Sequence, residues 1–403
     1  MTPRLVGLVA DDLTGATDSA VQFAAVGWSA HLLRSPTAGP ELAGPGPSLL
    51  AVATKVRAVG TDDAAKRTAA AVRELLALGC DRLYLKIDST MRGSVAGQLR
   101  GALAAWSASY PDAVVVLCPA FPDQNRTVVD GQVLVGGIPV TESAAAADPV
   151  TPVLDSRLER LVPGAVAVTP SDLDGAVRPG SGPARLRFAD ASTDADLDAI
   201  AAAVDRLGPR GVVAGSAGLA AAMARRWSAG TTGPTSPVRP STRILVAVSS
   251  LHPVTAMSVA RLRGVLTAPD AQGQPAVDVI TTPESRAATS AKIAADFGGR
   301  VAEQLRRHQY DALVLVGGDG AAATLDRVGA TSITVHATLA PGVPIGTISG
   351  GAANGLRVVT KSGGFGSADS LIEIVDLLQS STPRKGTHDV SDSQPSGAGR
   401  DPR

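Results

Sequence analysis

Apolar residues in this chain fall in short unbroken runs, each closed by glycines or polar residues and followed by apolar positions at helical spacing. The first run, residues 5–10, stops on Asp11 and Asp12; Ala16, Ala20, Phe23 and Ala24 then form one stripe after Thr14, and Gly27 is placed to end the helix. The unit returns from residue 82, where Val95, Leu99, Ala102, Leu103 and Trp106 follow Ser94, and again at 211–227, 243–262, 311–329 and 356–378. Strands alternating with helices predict βαβ units, and continuous Val/Leu/Ile runs suit parallel strands covered on both faces. Ligands in such sheets gather beyond the carboxyl ends of the strands, so each of these turns is a candidate site.

Some stretches break the pattern. Residues 228–242 are rich in Gly, Pro, Ser and Thr and read as a linker, which divides the chain into domains at 1–227 and 243–380. The tail 381–403 has no hydrophobic period and is expected to be disordered, and 35–48 reads as a surface loop. Within 118–140 a polar loop runs into "TVV-DG-QVLV", two β-rich runs joined by Asp-Gly, a strong hairpin signal. The expected fold is α/β: two domains, each a mostly parallel sheet flanked by helices, with a β-hairpin inserted in the first.

Composition narrows the function classes. Lys plus Arg and Asp plus Glu are 37 each, and aromatics are 3%, so neither a basic field nor stacking platforms exist for nucleic acid. A small anionic ligand needs only local cations and stays open. Cys80 and Cys118 lack CxxC spacing and read as buried thiols of a reducing compartment. The opening apolar run is too short for a signal peptide and no run is long enough to span a bilayer, so a cytoplasmic protein without a membrane partner is expected.

The chemistry-bearing residues sit in the turns. One of Asp11 and Asp12 can cap the helix that follows, which leaves the other unexplained. "LKIDSTMRGS" places Lys86 and Asp88 two apart, with Ser89 and Arg92 next: cations for a carboxylate and an acceptor for hydroxyls. "PAFPDQNRT" adds Asp123, Gln124 and Arg126. "GGDGA" at 317–321, "KSGGFG" at 361–366 and "SSLHP" at 249–253 are turns where backbone N–H groups can approach phosphate. No GxxxxGK[ST], HExxH or zinc-like spacing occurs, so no metal ligand is assigned. "AGSAG" around Ser216 approaches the serine-hydrolase elbow but has Ala214 at its first position, and hydrolase remains an alternative. A non-catalytic two-domain sugar-acid sensor is another.

Taken together, "ADDLTGATDSA", "LYLKIDSTMRGS", "PAFPDQNRTV..DGQVLV", "GSAGLA", "GGD" and "KSGGFG" resemble, in order, the motifs of the four-carbon acid sugar kinase family over about residues 4–378. The resemblance implies an ATP- and Mg²⁺-dependent kinase that phosphorylates O4 of threonate, erythronate or 3-oxo-tetronate, with the first two favoured, and a homodimer is compatible with it. It assigns 1–227 to the acid and 243–380 to the nucleotide. Asp11, Asp12 and Asp88 become the catalytic candidates. Lys86, Asp88, Ser89, Arg92, Asp123, Gln124 and Arg126 become substrate ligands. Ser249, Gly317, Gly318, Asp319, Gly320, Lys361, Gly363 and Gly364 fall to ATP. Asp12 is favoured over Asp11 as the base. The chain departs from the family at Gly320, where a Thr is common, and in the 123–126 loop.

Overall fold

The computed structural model describes residues 5–35, 39–42, 46–148, 150–175, 185–228, 239–266, 276–282 and 290–380. Most of the 228–242 linker and the whole 381–403 tail lie outside these residues, as does much of the 35–48 loop.

Among the described residues fourteen strands form one continuous sheet, in the order Ala276–Thr281, Arg243–Val248, Ala312–Val316, Arg357–Lys361, Val343–Ser349, Ser332–Ala340, Ser29–Leu33, Ser48–Ala53, Leu5–Ala10, Arg82–Lys86, Gly211–Gly215, Val114–Cys118, Leu186–Phe188 and Val166–Ala167. The apolar runs have the burial that their continuity required: all six residues of Leu5–Ala10 and all five of Val114–Cys118 are buried. Pairing within each half is mainly parallel, with Leu5–Ala10 between Ser48–Ala53 and Arg82–Lys86, and Ala312–Val316 between Arg243–Val248 and Arg357–Lys361. The two sheets expected from sequence are joined edge to edge, because Ser29–Leu33 pairs antiparallel with Ser332–Ala340. A 2.8 Å hydroxyl contact between Thr17 and Thr360 and a 2.9 Å Lys55–Asp326 pair also cross between the halves.

The Asp-Gly signal forms the hairpin Arg126–Val129 and Gln132–Val135, whose turn residues Asp130 and Gly131 take the positive φ of 50° and 71° that this pair tolerates. Ile138–Pro139 adds a third strand. Cys80 and Cys118 are buried free thiols, each pushed up to about 12 by burial. Among the described residues no helix is long and apolar enough to cross a membrane.

Candidate active site

Three neighbouring strand ends of the first half supply the polar floor of a cleft: Arg57 follows Ser48–Ala53, Asp11 and Asp12 follow Leu5–Ala10, and Lys86 and Asp88 stand at the end of Arg82–Lys86. Chain order reverses around the middle strand, and side chains beyond such a switch point face a crevice. Asp12 caps the helix Leu13–Ala24: its Oδ1 accepts from Gly15 N at 2.7 Å and its Oδ2 from Thr14 Oγ1 at 3.1 Å. It also lines the cleft, so cap and functional candidate are one residue. Asp11 is fully buried. It does not reach the cleft wall, which removes it as a group that touches substrate.

Arg57 binds all three carboxylates. Its Nε lies 2.7 Å from Asp11 Oδ2, its Nη1 3.0 Å from Asp12 Oδ2 and its Nη2 3.4 Å from Asp88 Oδ2. Burial lifts the Asp11 carboxyl above its ordinary value against the pull of Arg57. Burial would lift Asp12 too, but Arg57, Lys86 and the Gly15 N–H outweigh it and hold that carboxyl below its ordinary value. Burial likewise opposes ionisation of Asp88, and Arg92 with Arg57 overcomes it and holds the carboxyl well below the usual range.

Arg92 does not present an open fork. Its Nε and Nη2 sit 3.2 and 2.6 Å from the two oxygens of Asp88, and its Nη1 lies 3.1 Å from Asp148. Asp88 also accepts from Thr90 N and Oγ1 at 3.0 and 2.5 Å. The guanidinium expected on a substrate carboxylate therefore fixes Asp88 instead. Lys86 differs: it is buried on the cleft wall, and among the described residues its Nζ has neither a hydrogen-bond partner nor a carboxylate within 4.0 Å. Gly15 makes room for it, since a Cβ there would lie 2.8 Å from Lys86 Nζ and 2.7 Å from Asp12 Oδ1. Ser89 and Asp18 complete this wall.

The second half repeats the arrangement. Ser249 follows Arg243–Val248, Gly317–Gly320 follow Ala312–Val316 and Lys361–Gly364 stand at the end of Arg357–Lys361, three adjacent strands with strand order reversing around the first. Gly317 has φ +100°, closed to most L side chains, and opens the helix Gly318–Arg327. Gly320 is not open to a ligand, because a Cβ there would stand 2.2 Å from Ser249 Cβ; the serine fills the place that a Thr at 320 would need. Asp319 and Gly364 are exposed, and a Cβ on Gly364 would meet nothing nearer than His252 at 3.8 Å. Lys361 is turned onto the carbonyls of Ser362, at 3.1 Å, and Phe365, at 2.5 Å, and burial lowers it to about 8.

The two arrangements meet. A Cβ on Gly318 would lie 3.3 Å from Asp12 Oδ2, so the helix start of the second half abuts the catalytic candidate of the first. Gly342, Ser362 and Phe365 line the same cleft as Asp12, Lys86 and Asp88. The Arg126 guanidinium lies 5.7 Å over the Phe365 ring and donates through Nη1 to the Gln124 carbonyl, and among the described residues its buried Nε has no partner. Arg126 itself is off the cleft wall, as are Asp123 and Gln124 of the same loop: the chain turns outward through the 3₁₀ turn Pro122–Gln124 and Asn125 at φ 55°. Ser216 is 1% exposed, donates to the Ala120 carbonyl at 2.6 Å and accepts from Gly218 N, so it is a helix cap and not a nucleophile.

Sequence reasoning missed Arg57 and Asp18. Arg57 could have been found by treating the end of the 48–53 run as a strand end like the others. Asp18 lies four residues past Thr14, hence on the face of the helix that carries it.

A family model described as a sugar-binding N-terminal domain matches residues 6–223, and one described as a nucleotide-binding C-terminal domain matches 246–371. The D-threonate kinase of Bordetella bronchiseptica is 38% identical, over 93% of this chain and 97% of its own length. The chain belongs to the four-carbon acid sugar kinase family. A 3-oxo-tetronate kinase of Methylobacterium radiotolerans is 28% identical over 93% of this chain and 99% of its own. A solved Bordetella bronchiseptica structure, described as a domain-swapped dimer with bound citrate, is 35% identical and covers 95% of this chain and 100% of its own at a TM-score of 0.50. Family membership makes the chain an ATP-dependent acid sugar kinase and sets the sensor aside.

Proposed function

We propose that this kinase transfers the terminal phosphoryl group of ATP to the O4 hydroxyl of D-threonate or D-erythronate, with residues 1–227 holding the acid and 243–380 the nucleotide. One observation carries the reading: Asp12 on the acid side stands against the backbone of Gly318, the start of a helix on the nucleotide side. A helix N-terminus with glycine backbone favours phosphate. A hydroxyl between the two would meet a proton acceptor and a phosphoryl donor together. Phosphoryl transfer asks the protein mainly for such positioning and for charge neutralisation.

The residues divide the work. Asp12, kept ionised by Arg57 and Lys86, orients the hydroxyl and takes its proton. Lys86, on the cleft wall, offers counter-charge to the acid's carboxylate. Arg92 and Thr90 hold Asp88 as an acceptor for substrate hydroxyls. The positive-φ turn at Gly317 and the open backbone at Gly364 fit the phosphates of ATP. Among the described residues no group of three or more His, Cys, Asp or Glu could hold a metal, so Mg²⁺ would enter largely on the phosphates, with a carboxylate such as Asp12 or Asp319 within the turns they contact.

D-Threonate is favoured over the 3-oxo acid by the higher identity to the threonate relative. The unpaired thiols fit a cytoplasmic enzyme. By analogy with the solved Bordetella dimer, the Ser29–Leu33 to Ser332–Ala340 ladder is the contact that two copies could exchange. An ADP-release assay across D-threonate, D-erythronate and 3-oxo-tetronate tests the reading. One of the first two should give the highest kcat/KM. Equal background ADP release with every acid would refute it.

A further inference from the structure

Among the described residues three carboxylates line the cleft, and two already have protein partners. Asp12 is held by Gly15, Thr14 and Arg57, and Asp88 by Thr90, Arg92 and Arg57. The third, Asp18, is 8% exposed, and among the described residues nothing donates a hydrogen bond to its carboxylate. Its backbone carbonyl accepts from Gln22 Nε2. Lys86 and Asp12 act on it through charge alone, as it acts on Tyr84. Buried polar groups are almost always satisfied, and an acceptor pair left open toward a cleft calls for an explanation.

We propose that the Asp18 carboxylate accepts a hydrogen bond from a secondary hydroxyl of the acid and so selects hydroxylated four-carbon acids over their deoxy counterparts. The proposal deepens the kinase reading above and rests on it. An acid with its terminal hydroxyl at Asp12 and its carboxylate at a cation presents its C2 and C3 hydroxyls between those ends. Asp18 belongs to the wall beside both Asp12 and Lys86. A hydroxyl has one proton to give, and an ionised carboxylate can only accept, so the pairing is matched. Burial lifts Asp18 to about 6, which leaves it ionised at the slightly alkaline pH of a kinase assay.

The test is steady-state kinetics of the full chain with ATP and three acids: D-threonate (or D-erythronate, whichever turns over faster), 2,4-dihydroxybutanoate and 3,4-dihydroxybutanoate. The parent is compared with Asp18→Ala and Asp18→Leu, neither of which offers an acceptor, with ATP binding and melting temperature as folding controls. Losing a hydrogen bond to a charged acceptor corresponds to about ten- to a hundredfold. The parent should disfavour one of the two deoxy acids by that factor, mainly through KM. In the variants that preference should collapse, because the hydroxylated acid loses more than the same deoxy acid. Variants that lose an equal factor on all three acids, or none on any, overturn the assignment while the kinase reading stands. A parent that consumes no ATP with any of the acids overturns the substrate reading and the assignment together.

Discussion

Replacing Arg57 by Met removes the cation shared by three carboxylates, but the three do not suffer equally. Asp12 keeps Gly15 N and Thr14 Oγ1, and Asp88 keeps Thr90 and Arg92. Among the described residues the Asp11 carboxylate keeps no hydrogen bond: its Oδ1 already has no partner, its Oδ2 loses a 2.7 Å bond, and its side chain is 0% exposed. Removing one member of a buried pair costs about 3–5 kcal/mol, because the other charge stays buried and unpaired. The cost should therefore concentrate on Asp11. Its carboxyl is already raised in the folded protein and would rise further without Arg57. A raised folded value means the penalty is absent while the group is protonated and grows as pH climbs past its unfolded value. Urea unfolding at pH 5 and pH 8 reads this directly: the Arg57→Met deficit should be larger at pH 8, and Asp11→Asn in the same chain should recover at least half of it. A pH-8 deficit below about 1 kcal/mol, of the size of a surface pair, or one that Asp11→Asn leaves untouched, refutes the reasoning.

Asp12→Asn keeps an oxygen for the Gly15 N–H, so it should fold and bind ATP yet lose about a hundredfold or more in kcat; near-parental turnover would place the base elsewhere. Asp18→Asn should stabilise the chain at pH 8, since the folded value near 6 against 3.8 corresponds to about 3 kcal/mol of burial penalty at ~1.4 kcal/mol per pK unit, and the gain should vanish below pH 4. Urea unfolding checks it, and a loss of stability at pH 8 would contradict it. Gly15→Ala puts a methyl group 2.7 Å from Asp12 Oδ1 and 2.8 Å from Lys86 Nζ, and both side chains must give way. It should raise KM for the acid with ATP affinity unchanged, and an unaltered KM would remove Lys86 from the acid site.

The strands and the turns that carry most of the site were legible because each is a local signal: an unbroken apolar run, then Asp-Asp, Lys-x-Asp or Gly-Gly. Asp130-Gly131 announced its hairpin for the same reason. What stayed hidden depends on partners distant in sequence. Nothing in "TKVRAVG" says that Arg57 will lie between Asp11 and Asp88, and nothing near Arg92 says that Asp148 will help hold its fork. Asp18 looked like any polar helix position until the inward face of its helix was known. The merging of two sheets into one rests on Ser29–Leu33 meeting Ser332–Ala340, a pairing between segments about three hundred residues apart that periodicity cannot encode. Asp123 and Gln124 belonged to the right loop, and the left-handed Asn125 turned them away from the cleft.

The central claim is that Asp12 and the Gly318 helix start bring a four-carbon acid's terminal hydroxyl to ATP. The most direct measurement is phosphorus NMR of a reaction containing the full chain, ATP, Mg²⁺ and D-threonate or D-erythronate, run beside the Asp12→Asn variant. The account predicts that ADP and a phosphomonoester split by the two C4 protons appear together in the parent and hardly at all in the variant. A phosphomonoester coupled to a single proton, at C2 or C3, or equal product from both proteins, would contradict it.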